Sequence, residues 1–136
     1  MTAEEKAYIA GIIDGEGSIM LISLHKNQYP SPMISISSTT MELLEWIKST
    51  VGKGTIINKK NYNTERHKNS YTYYLKYNDA IELLKEIESY LVIKTKKKRA
   101  QMIINEYKDV TPRNGRYSSE LLALKEKFYE EFIAIK

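Results

Sequence analysis

Residues 8–18 read Tyr-Ile-Ala-Gly-Ile-Ile-Asp-Gly-Glu-Gly-Ser, and this run constrains the fold more than any other stretch of the chain. It is apolar and helix-like, yet it carries Gly11 and Gly15 one helical turn apart. Each glycine weakens an isolated helix by roughly 1 kcal/mol relative to alanine. A chain carries that cost where a backbone must come close to a neighbour. Thr2 and Glu5 have the spacing of a capping box, which predicts a helix starting at Ala3. Ala7, Ala10, Gly11, Asp14 and Gly15 then form one small-residue face on which a second helix can pack backbone to backbone. Tyr8, Ile9, Ile12 and Ile13 are left to reach a core. Gly15 and Gly17 end the helix and present Glu16 at its tip, where a carboxylate can hold a metal ion.

The pattern after this helix repeats. Residues 18–26 are apolar and end at Asn27, predicting a strand, and 33–37 alternate strictly, predicting a second, half-buried one. The two prolines between them mark a hairpin loop. Thr39 and Glu42 predict another capping box, and Leu43, Leu44, Ile47 and Val51 form a helical stripe that Gly52 stops. Residues 55–59 and 70–77 read as two more strands, joined by a polar basic stretch. Asn78 is placed to cap a third helix with Ile81, Leu84, Ile87 and Leu91 inward. A last amphipathic helix follows a turn-rich loop at 108–117, capped by Ser118 or Ser119. The expectation is an α+β single domain over 1–136, with a four-stranded antiparallel sheet covered by helices on one face only. The bare face is expected to carry Ser35, Ser37, Lys59, Tyr71 and Tyr73, while the first strand gives no clear assignment beyond Lys26 at its far end.

The net charge of +4 matters less than its layout. Lys53, Lys59, Lys60, Arg66, Lys68 and Lys76 crowd one region against the single acid Glu65, and residues 94–99 hold five basic residues and no acid. Segregation of this kind attracts a polyanion. Tyrosines interleaved with the first cluster point to nucleic acid. The absence of cysteine excludes disulfides and thiolate metal sites. His25 and His67 are read as surface residues. No apolar run approaches a membrane span and no export signal is apparent, so the expected place is inside a cell or organelle.

The segment Ile9-Ala10-Gly11-Ile12-Ile13-Asp14-Gly15-Glu16-Gly17, followed by Ser18, resembles the signature of the LAGLIDADG homing endonucleases, and the order of elements matches the αββαββα fold of that family. The resemblance implies that the signature helix forms the interface between two like units through Ala7, Gly11, Asp14 and Gly15. It implies that Glu16, assisted by the Gly15 carbonyl, binds a divalent cation, Mg²⁺ or a substitute such as Mn²⁺ or Ca²⁺. It implies that the bare sheet face lies in the DNA major groove, and that Lys94, with Lys96 in reserve, stands near the scissile phosphates. Lys96, Lys97, Lys98 and Arg99 are then read as phosphate-binding, as are Arg113 and Arg116. The family places polar groups near the end of the second strand to position water. Ser37, Ser38, Thr39 and Thr40 stand there, without the Gln or Arg that some members use.

One signature helix supplies one active site, whereas cutting a duplex needs two. The expectation is therefore a homodimeric, Mg²⁺-dependent endonuclease acting on a long, near-palindromic target and leaving 3′ overhangs. The alternative is a DNA- or RNA-binding protein of the same fold that does not cleave, such as an intron maturase or a transcription regulator. A more distant alternative is a basic structural module.

Overall fold

A computed structural model of the chain describes residues 1–23, 28–59 and 69–136, with Lys59 described by its backbone. Helix α1 spans Ala3–Glu16, strands β1 and β2 span Gly17–Ile22 and Ser31–Ser38, and helix α2 spans Met41–Val51. Strands β3 (Thr55–Lys59) and β4 (Ser70–Lys76) lead into helix α3, Tyr77–Ile87. Helix α4, Lys94–Met102, and helix α5, Ser119–Ile133, complete the chain. The four strands pair antiparallel, as the repeated strand-strand-helix pattern predicts, and their order is β1-β2-β4-β3.

Parity along the strands sets the two faces. Ile19 and Leu21, Ile34 and Ile36, and Tyr73 and Leu75 are buried against the helices. Ile9, Ala10 and Ile13 of α1, Leu44 and Ile47 of α2, and Leu84 and Ile87 of α3 complete that core. The other face, with Met20, Ser35, Ser37, Thr72 and Tyr74, is half exposed, and no helix among the described residues covers it. A one-residue slip would exchange the two faces, so the buried aliphatics fix the register.

Several local expectations change. Thr2 and Glu5 do form the capping box, with bonds of 2.8 and 3.1 Å. Thr39 and Glu42 do not: α2 begins at Met41, so its N-cap is Thr40, one residue later, and that side chain makes no cap bond. Instead Ser38 makes the local turn, its Oγ accepting the Thr40 N–H at 3.0 Å. Gly52 closes α2 in the left-handed region at φ 83. Helix α3 starts at Tyr77, ahead of Asn78, and Tyr77 itself has φ 48. Strand β1 ends at Ile22, short of residue 26. Ser118 caps α5, accepting from the Leu121 N–H at 3.1 Å. Ala10 belongs to the core and not to the open face of α1.

Candidate active site

The signature helix presents Ala7, Gly11 and Gly15 to solvent on one line. Among the described residues, a methyl group added at Gly11 or Gly15 would meet nothing within 4 Å. Within one chain those glycines have no packing reason, unlike Gly17, where an added Cβ would lie 2.8 Å from Ile13 Cα. Gly17 lets the chain leave the helix directly into β1, its N–H still donating to the Ile13 carbonyl. Beside the open line stand Tyr8, 56% exposed, and Trp46 of α2, stacked edge to face with centroids 5.1 Å apart.

The tip of α1 is tied to the start of α4 from both sides. The Asp14 carboxylate accepts the Val92 and Ile93 N–H groups at 2.9 and 3.2 Å, satisfying donors at the N-terminal end of α4. In return, Lys96 Nζ donates to the carbonyls of Ile13 and Asp14 at 2.8 and 2.6 Å. Helix α1 has no basic residue in its own last turn, so Lys96 supplies the positive charge that a helix C-terminus favours. The Asp14 side chain is committed to bonds within its own chain, and the exposed small residues on that line of α1 are Ala7, Gly11 and Gly15.

The same bonds place the two candidate lysines differently. Lys96, the reserve, is the one brought to the acidic tip, while Lys94 is exposed and lines a shallow groove with Thr95, Lys98 and Glu131. Arg99 is corrected as well. Its guanidinium donates to the Ile19 and Ile135 carbonyls at 3.1 and 2.7 Å and lies 5.0 Å from the Phe132 ring centre, pinning β1 to the C-terminal segment. Lys97 and Lys98 stay on the outer side of α4.

Glu16 is exposed, one residue beyond Gly15. The carboxylate stands at the negative end of α1, which it shares with the Lys96 ammonium. The donors there are all hard oxygens, which fits a cation such as Mg²⁺. Among the described residues no group of three or more His, Cys, Asp or Glu side chains gathers, so further ligands would have to be backbone oxygens, water or substrate.

On the sheet, Ser35 and Ser37 do lie on the uncovered face, and Ser37 Oγ shares a 2.9 Å hydrogen bond with Thr72 Oγ1 across β2 and β4. Tyr73 is corrected: it is fully buried beneath the helices, its ring against Gly54 and its hydroxyl donating to the Lys53 carbonyl at 2.6 Å. Burial pushes its phenol pKa well above the usual value. Tyr71 shares that inner face and is half buried. The residues of β4 on the open face are Ser70, Thr72, Tyr74 and Lys76, with the Lys76 ammonium 5.0 Å from the Tyr74 ring centre. Ser18, Met20 and Ile22 occupy that face of β1, and Thr55 and Ile57 that of β3. Lys59 pairs with Ser70 at the end of β3. Lys26, Lys60, Arg66 and Lys68, with His25 and His67, lie outside the described residues. Arg113 and Arg116 are exposed on the loop before α5.

No protein-family model and no curated protein matches the sequence. Solved structures do match. The chain superimposes on the homing endonuclease I-CvuI, in complex with its target in the presence of 2 mM Ca, with a TM-score of 0.71 and 15% identity over 99% of this chain and 85% of that one. A second complex of I-CvuI, with 2 mM Mg and its DNA not cleaved, gives 0.68 at 17% identity over 98% and 82%. The archaeal intron-encoded homing endonuclease I-Vdi141I, complexed with DNA, gives 0.65 at 20% identity over 98% and 84%. The LAGLIDADG meganuclease I-CpaMI, bound to uncleaved DNA, gives 0.64 at 20% identity over 93% of this chain and 49% of that one. At such identities the likeness is one of fold, and the fold is that of the LAGLIDADG homing endonucleases.

Proposed function

We propose that this chain is a site-specific double-strand DNA endonuclease that works as a homodimer. The observation that carries the reading is the tip of α1: Glu16 exposed beside the unpacked glycine line, with Lys96 held at the same helix end. A second copy packed along Ala7, Gly11 and Gly15 would bring two such tips together, one for each DNA strand. Several neighbours with this fold are DNA complexes, which supports duplex DNA as the substrate.

In this reading the uncovered sheet face enters the major groove, where base edges present distinct donors and acceptors. Ser35, Ser37, Thr72 and Tyr74 offer hydroxyls there, and Lys76 a charge. Met20 and Ile57 provide apolar contact, which suits thymine methyl groups. Lys97 and Lys98 meet backbone phosphates. Glu16 would hold the divalent cation, with the Gly15 carbonyl beside it. When bound, that cation supplies Lewis acidity and an activated water for phosphodiester hydrolysis. Lys96 stands where its charge offsets that developing on the phosphate. A twofold enzyme reads a twofold site, so the target is near-palindromic, and the products carry 3′ overhangs.

The test is cleavage of a plasmid library with randomised inserts, in the presence of Mg²⁺. Wild type is expected to linearise a subset sharing one motif. Glu16→Gln is expected to bind that motif with unchanged affinity and to cut at least about 10³-fold more slowly. Binding by wild type with no scission in any divalent metal would instead make the protein a non-cleaving DNA binder of this fold.

A further inference from the structure

Apolar surface of two different shapes flanks the small-residue line of α1. On one side Val92 and Ile93 stand out, 81% and 42% exposed, and Val92 is the most exposed large hydrophobic residue among those described. They precede α4 and are fixed beside α1, because their N–H groups are the two that the Asp14 carboxylate accepts. On the other side a groove of about 760 Å³ runs between α1 and α2. Tyr8, Leu43 and Trp46 line it together with Glu4, Glu5 and Glu42, and among the described residues no basic one does.

Helix geometry sets these flanks apart. At about 100° per residue, Tyr8 lies about 60° to one side of Gly11 and Asp14 about 60° to the other. Six residues, about 9 Å, separate the two along the helix axis, a step that a groove of this volume spans. Contact along Ala7, Gly11 and Gly15 with both Glu16 tips together makes two helices run side by side in one direction about a twofold axis. In such a pairing each patch meets its complement, and the reverse. The axis turns the Asp14 flank of one protomer onto the Tyr8 flank of its partner, and does so twice. A projecting aliphatic pair then faces a groove with aromatic walls on both sides of the line.

The line alone is slight for a stable contact. Specific interfaces bury roughly 1,200–2,000 Å² in total, and one methyl and two glycines per protomer supply a small part of that. Val92, Ile93, Tyr8 and Trp46 offer exposed apolar surface directly beside it. We propose that Val92 and Ile93 of each protomer seat in the partner's groove between α1 and α2, so that two reciprocal contacts flank the glycine line. This pairing rests on the homodimer reading above.

The chain has no cysteine, so thiols can be placed at chosen positions of the full protein. A short thiol-to-thiol linker is expected to join a Glu42→Cys, Val92→Cys double variant into a covalent dimer. The Val92→Cys single variant is expected to stay unjoined, because the axis carries the two copies of that position to opposite flanks. Sedimentation supplies the second measurement, and Val92 is exposed enough for its replacement to leave the protomer fold intact. Val92→Glu sets a carboxylate against an acidic groove twice per dimer and is expected to raise the dissociation constant about 100-fold. Val92→Lys, equally polar but of the opposite charge, is expected to raise it at least about tenfold less. A wild-type dimer that Val92→Glu leaves equally tight overturns the pairing and keeps the homodimer, as does joining by Val92→Cys alone. A wild type that sediments as a monomer at high micromolar concentration overturns both.

Discussion

Two lysines at opposite ends of the molecule make the most instructive comparison. Lys96 and Lys125 are both drawn out of solvent, but different groups face them. Lys96 meets two backbone carbonyls at the negative end of α1, and Asp14 returns the favour to α4. Lys125 meets one hydroxyl and the faces of two rings. Burial lowers the pKa of Lys125 to about 8, against an ordinary value near 10.4. Burial alone thus says little about a lysine; the groups that receive its protons decide whether it strengthens or weakens the fold.

The sharpest way to break the comparison is to remove each ammonium. Lys96→Met deletes two charge-assisted bonds and leaves the Asp14 carbonyl without its partner, so it is expected to cost about 2–3 kcal/mol in chemical denaturation. Lys125→Met should act in the other direction at neutral pH, because Thr111 keeps its own bond to the Tyr107 carbonyl at 2.7 Å and no donor is orphaned.

A pH series sharpens the same point with a somewhat smaller effect. Between about pH 8 and 10 the unfolded chain holds a proton on Lys125 that the folded chain has released, so wild-type stability is expected to rise by about 2 kcal/mol across that window. Below pH 8 both states are protonated and Lys125 contributes no slope. Above pH 10 the trend reverses. Burial raises the phenol pKa of Tyr73 and Tyr107, so unfolded tyrosines ionise first and the stability they contribute is lost. Lys125→Met should remove the rise and keep the fall. A flat wild-type profile from pH 8 to 10 would mean that the ring faces compensate the charge fully.

The smallest effect tests the glycine line. Gly11→Ala touches nothing in its own chain, so it should raise the stability of the isolated protomer by up to about 1 kcal/mol. In sedimentation it should also shift the population towards monomer. A variant that is both more stable and equally dimeric would remove the α1 line from the interface.

Much of this architecture was legible in the sequence because buried aliphatics repeat with the period of their element. Ile34 and Ile36 assigned the faces of β2, and Gly52 ended α2. Tyr73 misled because tyrosine suits both a core and a surface. Leu75, two residues on, carried the missing signal, since side chains two apart share a face. The continuous run Ile19–Ile22 hid the faces of β1, because Met20 and Ile22 are apolar yet lie on the uncovered side. Lys94 and Lys96 differ by two positions on a helix, and which one reaches α1 depends on how α4 docks. The cage around Lys125 is made by Tyr107, Thr111 and Tyr117, and no hydrophobic period marks those positions.

The chain contains a single tryptophan, and it stands against Tyr8 at the border of the glycine line. At 38% exposure, Trp46 is wet enough in a lone protomer for its emission to sit to the red. Covering that border would dry the indole and move the emission to the blue. Dilution followed by fluorescence therefore reads self-association directly, with no label attached and no second chromophore of its kind to confuse the signal.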